Sequence, residues 1–240
     1  MAIILIAGAS AAAIFNGQGQ KRPDAHGIEK PTIIHDGQLT ERQRQHSKLF
    51  KHSGARFQDL AKRQSGDIEV EVGIGLTTSQ SERSRLPIFE SAVCSADAVI
   101  VGTITGKVSQ LTEEQNFVFT DYDVSVEEVI KNNTQAPLQA NSSITSTRGG
   151  GTIEWNGRVF RVRREDFDTP AIGQRYIMFL RFIPATGAYL MYGDGTFQIS
   201  DQAITALGPT ARNEMAKNLS DPTSFRDQIR TFAKSNCRNQ

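Results

Sequence analysis

The sequence contains few of the residues on which most catalytic and metal sites depend. Four of the 240 residues are histidine and two are cysteine. All the histidines (His26, His35, His46 and His52) precede the strand-rich part of the chain. Histidine is the commonest general base and a common zinc ligand. The strand-rich part therefore has no histidine for a Ser-His-Asp site. We expect no catalytic constellation, metal or cofactor there.

The chain also lacks an excess of either charge. Lys and Arg number 27 against 26 Asp and Glu, which gives a formal net charge of +1. Up to Val93 there are 12 basic and 10 acidic residues, and from Cys94 onward there are 15 and 16. Nucleic-acid binding requires a basic face, so we expect no nucleic-acid partner. The length suits one folded domain with appendages, or two small domains.

No apolar segment reaches the roughly 20 residues that cross a bilayer as a helix. Residues 2–15, AIILIAGASAAAIF, are apolar throughout, but no basic residues precede them as in a secretory signal. We interpret residues 1–18 as a signal peptide whose true start lies upstream of Met1, or as a short membrane anchor. A buried helix of a soluble protein is the alternative. Lys21 and Arg22 follow the apolar segment, and basic residues beside such a segment favour the cytoplasmic side of a membrane. We nevertheless expect export, with the rest of the chain outside the cytoplasm.

Residues 19–66 are predicted to be a polar linker that contains one basic helix. Thr40 and Gln43 fit a capping box at the start of this helix. One hypothesis is a helix that lies on an anionic membrane surface. We prefer a solvated linker helix, loosely attached to the core, because its apolar face is sparse and consists of Phe50, Phe57, Leu60 and Ala61.

Residues 67–85 are predicted to form a strand and a loop, because DIEVEVGIGL alternates apolar and polar side chains. Residues 86–237 then have a short helix at LPIFESAVCSAD, a strand pattern from Ala96 onward and two C-terminal helices. The unbroken apolar run Ala98–Val101 is typical of a strand buried on both faces. Asn156-Gly157 indicates a type I′ hairpin turn, and we interpret Asp194-Gly195 as a second one.

The strand-rich part has about six strands with tight turns and no long helix between them, which predicts a small barrel or sandwich. The fold class is therefore mainly β: a small OB-like barrel, closed or partly open, with flanking helices. In FVFTDYDVSVEEVIKN the alternation at Tyr122, Val124 and Val126 is broken by Glu127-Glu128. A long strand in a small barrel has to bend, and a β-bulge supplies the bend. We therefore expect a bulge at these glutamates.

Four phrases in order, ADAVIVGTI, TDYDVSVEEVIK, IGQRYIMFL and GAYLMYGDGTFQI, resemble exported bacterial proteins of unknown function. Their core looks like an OB-type barrel, similar to netrin-like and tissue-inhibitor-of-metalloproteinase modules. The resemblance covers roughly residues 94–206 and implies no catalytic residue. Those inhibitors use a cysteine at the mature N-terminus as a wedge into a metalloprotease site. Cys94 lies deep in this chain, so that mechanism does not carry over unless processing exposes it.

Two predicted strands carry weak candidates for surface binding. RVFRVRRED combines a central Phe160 with four arginines, the pattern by which OB barrels bind single-stranded nucleic acid. Asp121 and Asp123, together with Glu127 and Glu128, could bind a cation. We prefer the interpretation that these carboxylates form a solvent-exposed face of the strand. RGGGT lacks the Gly-Lys-Ser/Thr of a P-loop and is interpreted as a turn. The four arginines are Arg158, Arg161, Arg163 and Arg164.

Cys94 and Cys237 are the only cysteines and are predicted to form a disulfide. One precedes the first barrel strand and the other ends the final helix, whose apolar side chains Phe225, Ile229 and Phe232 share one face. An even count at the two ends of a domain is typical of a disulfide in an oxidising compartment. The alternative is one buried cysteine and one terminal thiol. A disulfide requires Cα atoms about 4.4 to 6.8 Å apart.

These observations favour a non-enzymatic module, extracytoplasmic or membrane-anchored through residues 2–15, that binds a protein or peptide through the barrel surface. One alternative is a hydrolase that uses only carboxylates, such as Asp121 or Glu128 with a partner on another strand, on an extracellular polymer. The other is single-stranded nucleic-acid binding through the strand Arg158–Arg164.

Overall fold

The computed structural model describes residues 30–33, 39–50, 56–72, 88–164, 167–201, 203–208, 221–235 and 237. These ranges are mainly β, with flanking helices, which confirms the predicted fold class at that level. The apolar segment 2–15 and the first of the two predicted C-terminal helices lie outside the described residues. No helix among the described residues is long and apolar enough to span a membrane.

The described helices are α1 (Glu41–Leu49), α2 (Phe57–Arg63), α3 (Ile88–Ser95) and α4 (Pro222–Ser235). The described strands are β1 (Thr32–Ile33), β2 (Ile68–Val72), β3 (Ala98–Leu111), β4 (Val118–Lys131), β5 (Ser143–Gly149), β6 (Gly151–Trp155), β7 (Arg158–Arg164), β8 (Arg175–Ile183), β9 (Ala188–Ile199) and β10 (Ile204–Ala206).

Five strands close into a ring. β3 pairs antiparallel with β4, and β4 pairs antiparallel with β5. β8 returns to lie beside β3, and β9 pairs with both β8 and β5, parallel to β5. The order β8-β3-β4-β5 is a Greek key, in which the fourth strand lies beside the first. β9 closes the ring, and β10 pairs with β9 at an edge.

A second sheet is built around the β6–β7 hairpin, which lies in the long connection between β5 and β8. β1 pairs parallel with β6, and β2 pairs parallel with β7. Strands from the N-terminal third of the chain therefore flank the hairpin on both sides. The expectation that residues 16–64 are loosely attached is wrong for the described residues among them, because β1 is hydrogen-bonded into this sheet and Phe57 of α2 is buried.

The hairpin turn at Asn156-Gly157 is confirmed. Asn156 has a φ of 51° and Gly157 a φ of 69°, and a type I′ turn requires positive φ at both central positions. The glycine run after Arg148 connects β5 to β6, with positive φ at Gly150 and Gly151. This connection agrees with the interpretation of RGGGT as a turn between strands.

The second predicted hairpin turn, at Asp194-Gly195, is wrong. β9 passes through this segment without reversing, and both of its halves pair antiparallel with β8. Four residues, Tyr192–Gly195, lie opposite the single residue Phe179 of β8. Gly195 permits this packing, since a Cβ there would lie only 2.6 Å from the Cβ of Phe179. The glycine therefore serves close approach rather than chain reversal.

The predicted bulge in β4 is confirmed at Glu127. Val101 of β3 lies opposite Glu128 and the next residue, Gly102, lies opposite Val126, so Glu127 is the extra residue. A second extra residue, Ile130, follows on β4, and Thr105 is an extra residue on β3. Bulges bend a strand and increase its twist, and these three lie on the longest antiparallel pair of the ring.

β3 and β8 carry runs of residues buried on both faces, whereas the outer face of β4 is partly exposed. Side chains of one face, including Ile100, Val124 and Met178, pack together as one apolar cluster. Side chains of the opposite face, including Val101 and Phe179, pack against α3 and α4. A third cluster joins the β6–β7 sheet to α2 and to one end of the β3–β4 pair; its fully or nearly fully buried members include Phe57, Ile68, Phe117, Val118, Ile153, Trp155 and Phe160.

Candidate functional site

Helix α1 is held against the ring by polar side chains. The predicted capping box is present, because Gln43 N donates to Thr40 Oγ1 and Thr40 N donates to Gln43 Oε1. His46 of this helix is 0% exposed. Its Nδ1 lies 2.8 Å from Asp121 Oδ1 on β4, and its Nε2 lies 3.0 Å from Thr186 Oγ1 in the β8–β9 turn. The helix is thus joined to two elements of the ring.

Further contacts continue along the same helix. The Ser47 hydroxyl accepts a hydrogen bond from the backbone N–H of Glu113 in the β3–β4 turn. Phe50 stacks on Phe119 with ring centroids 5.6 Å apart. His46 therefore belongs to the folded part of the chain, although it precedes the strand-rich part in the sequence and lies in a predicted linker. Sequence reasoning missed it because α1 has almost no apolar period, and only its capping box gave a signal.

Thr186, His46 and Asp121 stand in the order of a nucleophile, a base and an orienting acid. A general base has to reach the proton that it removes from a substrate or nucleophile. The His46 ring has no exposed surface and both of its nitrogens are engaged within the protein. In this structure the three residues fasten α1 to the ring.

The acidic candidates on β4 have separate surroundings. Asp121 is paired with His46, whereas Asp123 is exposed. Glu127 Oε2 accepts a hydrogen bond from Arg175 Nε at 2.6 Å, and Glu128 forms ion pairs with Arg226 and Arg230 of α4. No group of three or more His, Cys, Asp or Glu that could hold a metal ion occurs in the described part of the chain.

The basic candidates on β7 mainly form hydrogen bonds and ion pairs with residues of, or next to, α2 and β2, which precede them in the chain. Arg158 Nη1 donates to the carbonyl oxygens of Ala61 and Gln64 at the end of α2, each at 2.7 Å. Arg161 pairs with Asp67 at 3.0 Å, and Arg163 pairs with Glu69 at 2.9 Å. Arg164 is half-buried at the end of the strand. The structure thus brings Arg161 and Arg163 beside acidic residues, one in β2 and one directly before it.

The aromatic residue of the basic strand is not available for stacking on a base. Phe160 is buried, and its ring stacks on Phe57 of α2 with centroids 4.8 Å apart. Single-strand binding requires exposed aromatic platforms within a basic groove. The arrangement of β7 between β6 and the acidic strand β2 does not supply such a groove.

An open cavity of about 270 Å³ lies between α2 and the turn end of the β6–β7 hairpin. Its walls include the aromatic rings of Trp155 and Phe160, and its rim includes Lys62 and Arg158. Sequence reasoning identified Arg158 but not the cavity, since α2 was assigned to a linker. The remaining lining residues are Gln58, Ala61 and Asn156.

Cys94 of α3 and Cys237, after α4, form a disulfide with Cα atoms 5.1 Å apart. This distance lies inside the predicted window and joins the two helices that cover one face of the ring. Lys131 of β4 supports the same junction, because its Nζ donates to the carbonyl oxygens of Val93, Cys94 and Ala96. Burial lowers the pKa of Lys131, with a smaller opposing effect of the Asp97 carboxylate.

Compared with known proteins, the chain matches no protein-family model and no curated protein sequence. The fold and the contacts above define a mainly β protein, in which five strands close into a ring and a disulfide joins two of the covering helices. Inference about function therefore rests on the geometry of its surfaces.

Proposed function

We propose that this protein is a non-enzymatic extracytoplasmic or membrane-anchored module that binds a protein or peptide. The ring order β3-β4-β5-β9-β8, with β5 and β9 parallel, supports an OB-type barrel, a five-stranded Greek-key architecture. An OB-type barrel agrees with the resemblance to netrin-like and tissue-inhibitor-of-metalloproteinase modules. Fold alone does not define an activity, so the binding role rests on the surface.

The observation that carries the binding role is the open cavity between α2 and the β6–β7 hairpin. It combines aromatic walls with cationic and amide side chains at the rim. Ligand sites are commonly concave, with apolar walls and a few polar groups that fix orientation. The surroundings of three candidate groups support a non-enzymatic role, because His46 is buried and Glu127 and Glu128 are paired with arginines.

The disulfide supports the extracytoplasmic part of the proposal. Disulfides persist in oxidising compartments and are rare where thiols are kept reduced. Cys94 and Cys237 are separated by 143 positions in the sequence, so the bond links distant parts of the fold. The apolar residues 2–15 would supply the export signal or the membrane anchor.

The test is a selection of random peptides, displayed on phage in two libraries with a free N-terminus or a free C-terminus, against the oxidised full chain. We expect recovery of a peptide consensus that binds the chain in solution and is displaced by an excess of the same free peptide. Single-stranded DNA of mixed sequence serves as the competing ligand. Failure to recover any peptide would contradict the proposal, and tight DNA binding that weakens steeply with salt would favour the nucleic-acid alternative.

A further inference from the structure

The cavity beside the hairpin has fixed apolar walls. Phe160 stacks almost parallel on Phe57, with an angle of 6° between the rings. Trp155 and Phe160 are both buried in the third apolar cluster, so neither ring can swing away from the cavity without losing core contacts. The volume of about 270 Å³ is just below the roughly 300 to 1,000 Å³ of typical small-molecule pockets. This size suits a single apolar side chain with its adjoining polar group.

The rim of the cavity is cationic. Arg158 is held in place by its two hydrogen bonds to the last carbonyls of α2, and its charge offsets the negative end of that helix. Lys62 is 77% exposed, and its ion pair with Asp59 is long at 3.5 Å, so its ammonium can turn to a ligand. Asp59 does not line the cavity, whereas both cations do.

We propose that this cavity binds the C-terminal residue of a peptide whose last side chain is apolar. The side chain packs on Ala61 and against only those parts of the Trp155 and Phe160 rings that line the cavity, while the rest of both rings stays in the core. The terminal carboxylate is bound by Lys62 and Arg158, while the amides of Gln58 and Asn156 contact the peptide backbone. Apolar walls select the side chain and paired cations select a free carboxylate over an amide. This inference rests on the proposed peptide-binding function.

The sequence supplies a reporter for the test, because Trp155 is its only tryptophan and lines the cavity. N-acetyl-leucine, which has a carboxylate, and N-acetyl-leucinamide, which does not, are titrated into the oxidised full chain while tryptophan emission is recorded. We expect a saturable change with the acid and binding about two- to fivefold weaker with the amide. Added salt should weaken binding of the acid and leave the amide unaffected.

Three variants distinguish this site from a general surface effect. Lys62→Gln should remove most of the preference for the acid over the amide. Lys48→Gln changes an exposed lysine of α1 outside the cavity and should keep the preference. Ala61→Leu places a larger side chain in the cavity and should abolish the response to both ligands. A cooperative melting transition verifies that each variant is folded.

Two results separate this inference from the proposed function. If synthetic copies of the selected peptides bind equally well with a free and an amidated C-terminus, and Lys62→Gln has no effect on their binding, the cavity assignment is overturned while the binding role stands. If the selection recovers no peptide, the proposed function itself is overturned, whatever the tryptophan signal shows.

Discussion

The Nδ1 atom of His46 lies 2.8 Å from the Oδ1 atom of Asp121, although 75 positions separate the two residues in the sequence. The contact joins the polar helix α1 to the longest antiparallel pair of the ring. Leu49, the one large aliphatic side chain of α1, is exposed. The helix is therefore held by buried hydrogen bonds and by the Phe50 ring that follows it, rather than by an apolar stripe.

Replacement of His46 by alanine should detach α1 while the ring stays folded. The change removes both hydrogen bonds of the imidazole and leaves Asp121 without this partner, which should lower the free energy of unfolding by about 1 to 3 kcal/mol. Trypsin should then cleave rapidly at Arg44 and Lys48, which lie within the helix and require local unfolding before cleavage. Urea unfolding and timed proteolysis measure the two effects.

Asp121→Ala and Asp123→Ala are matched changes for the same experiment. Both residues lie on the outward side of β4, but Asp121 contacts His46 and Asp123 is exposed. Asp121→Ala should reproduce the loss seen with His46→Ala, and the double variant should show less than the sum of the two losses. Equal cleavage rates in wild type and His46→Ala would show that the imidazole does not hold the helix.

The docking of α1 illustrates what the sequence does not reveal. The capping box at Thr40 and Gln43 was predicted because both partners lie within one helical turn. The burial of His46 could not be predicted, because a single buried polar residue produces no periodic pattern of apolar residues in the sequence. Its two partners also lie 75 and 140 positions away. The cavity was missed for the same reason, since its two sides come from α2 and from the hairpin.

The ring likewise has one feature that the sequence predicts correctly and one that it does not. The bulge at Glu127 could be predicted because an extra residue shifts the apolar alternation within the strand itself. The hairpin at Asp194-Gly195 was a wrong interpretation of a sequence that favours turns. Both halves of β9 pair with β8 in one direction, and this pairing overrides the local preference at Gly195.

Two glycines of β3 should respond differently to alanine. A Cβ at Gly102 would lie 2.7 Å from the backbone oxygen of Ser125 and 2.8 Å from Cγ1 of Val124. The Ser125 oxygen cannot move without shifting the backbone of β4, and the Val124 side chain is packed in the core, so Gly102→Ala should destabilise the fold by about 1 to 3 kcal/mol. A Cβ at Gly106 meets the flexible carboxylate of Asp123 at 2.8 Å, and Gly106→Ala should be tolerated.

Chemical denaturation of the two alanine variants checks this difference. Gly106→Ala serves as the control, because both glycines lie within β3 and neither has a positive φ. A Gly102→Ala variant as stable as wild type would show that β3 and β4 separate more easily at this bulge than the packing indicates.

Low pH should destabilise the N-terminus of α4, because protonation of Asp221 weakens the hydrogen bonds that its carboxylate accepts there. Its Oδ1 accepts hydrogen bonds from the backbone N–H groups of Thr223 and Ser224, each at 2.9 Å. The hydroxyl of Ser224, and then its backbone N–H, hold the pKa of Asp221 below its usual value of 3.8. The lowered pKa means that the charged form stabilises the fold above that usual value. This contribution is lost as the pH falls through the lowered pKa.

Asp221→Asn isolates this contribution, since asparagine keeps an acceptor for the helix start but does not titrate there. The stability of wild type and variant is measured between about pH 6 and pH 2. The difference between them should be largest at the upper end of this range and should shrink as the pH falls, because the other carboxylates affect both chains equally. A constant difference would exclude Asp221 as the titrating group.

The disulfide should be a major contributor to stability. It closes a sequence separation of 143 positions, which corresponds to about 5 kcal/mol in the chain-entropy model, and removal of native disulfides commonly costs about 2 to 5 kcal/mol. The double variant Cys94→Ser/Cys237→Ser should therefore unfold at lower denaturant concentration. It should still fold, because Phe225 and Ile229 remain packed against the ring.

Reductant provides the internal control for this prediction. It should lower the unfolding midpoint of wild type to that of the double variant and should leave the double variant unchanged. Hydrogen exchange should show the loss concentrated in α3 and α4, the helices beside the bond, because a tether mainly restricts the elements that it joins. A wild-type chain whose midpoint is unaffected by reductant would show that Cys94 and Cys237 are unpaired in solution, and the argument for an oxidising compartment would fail with that result.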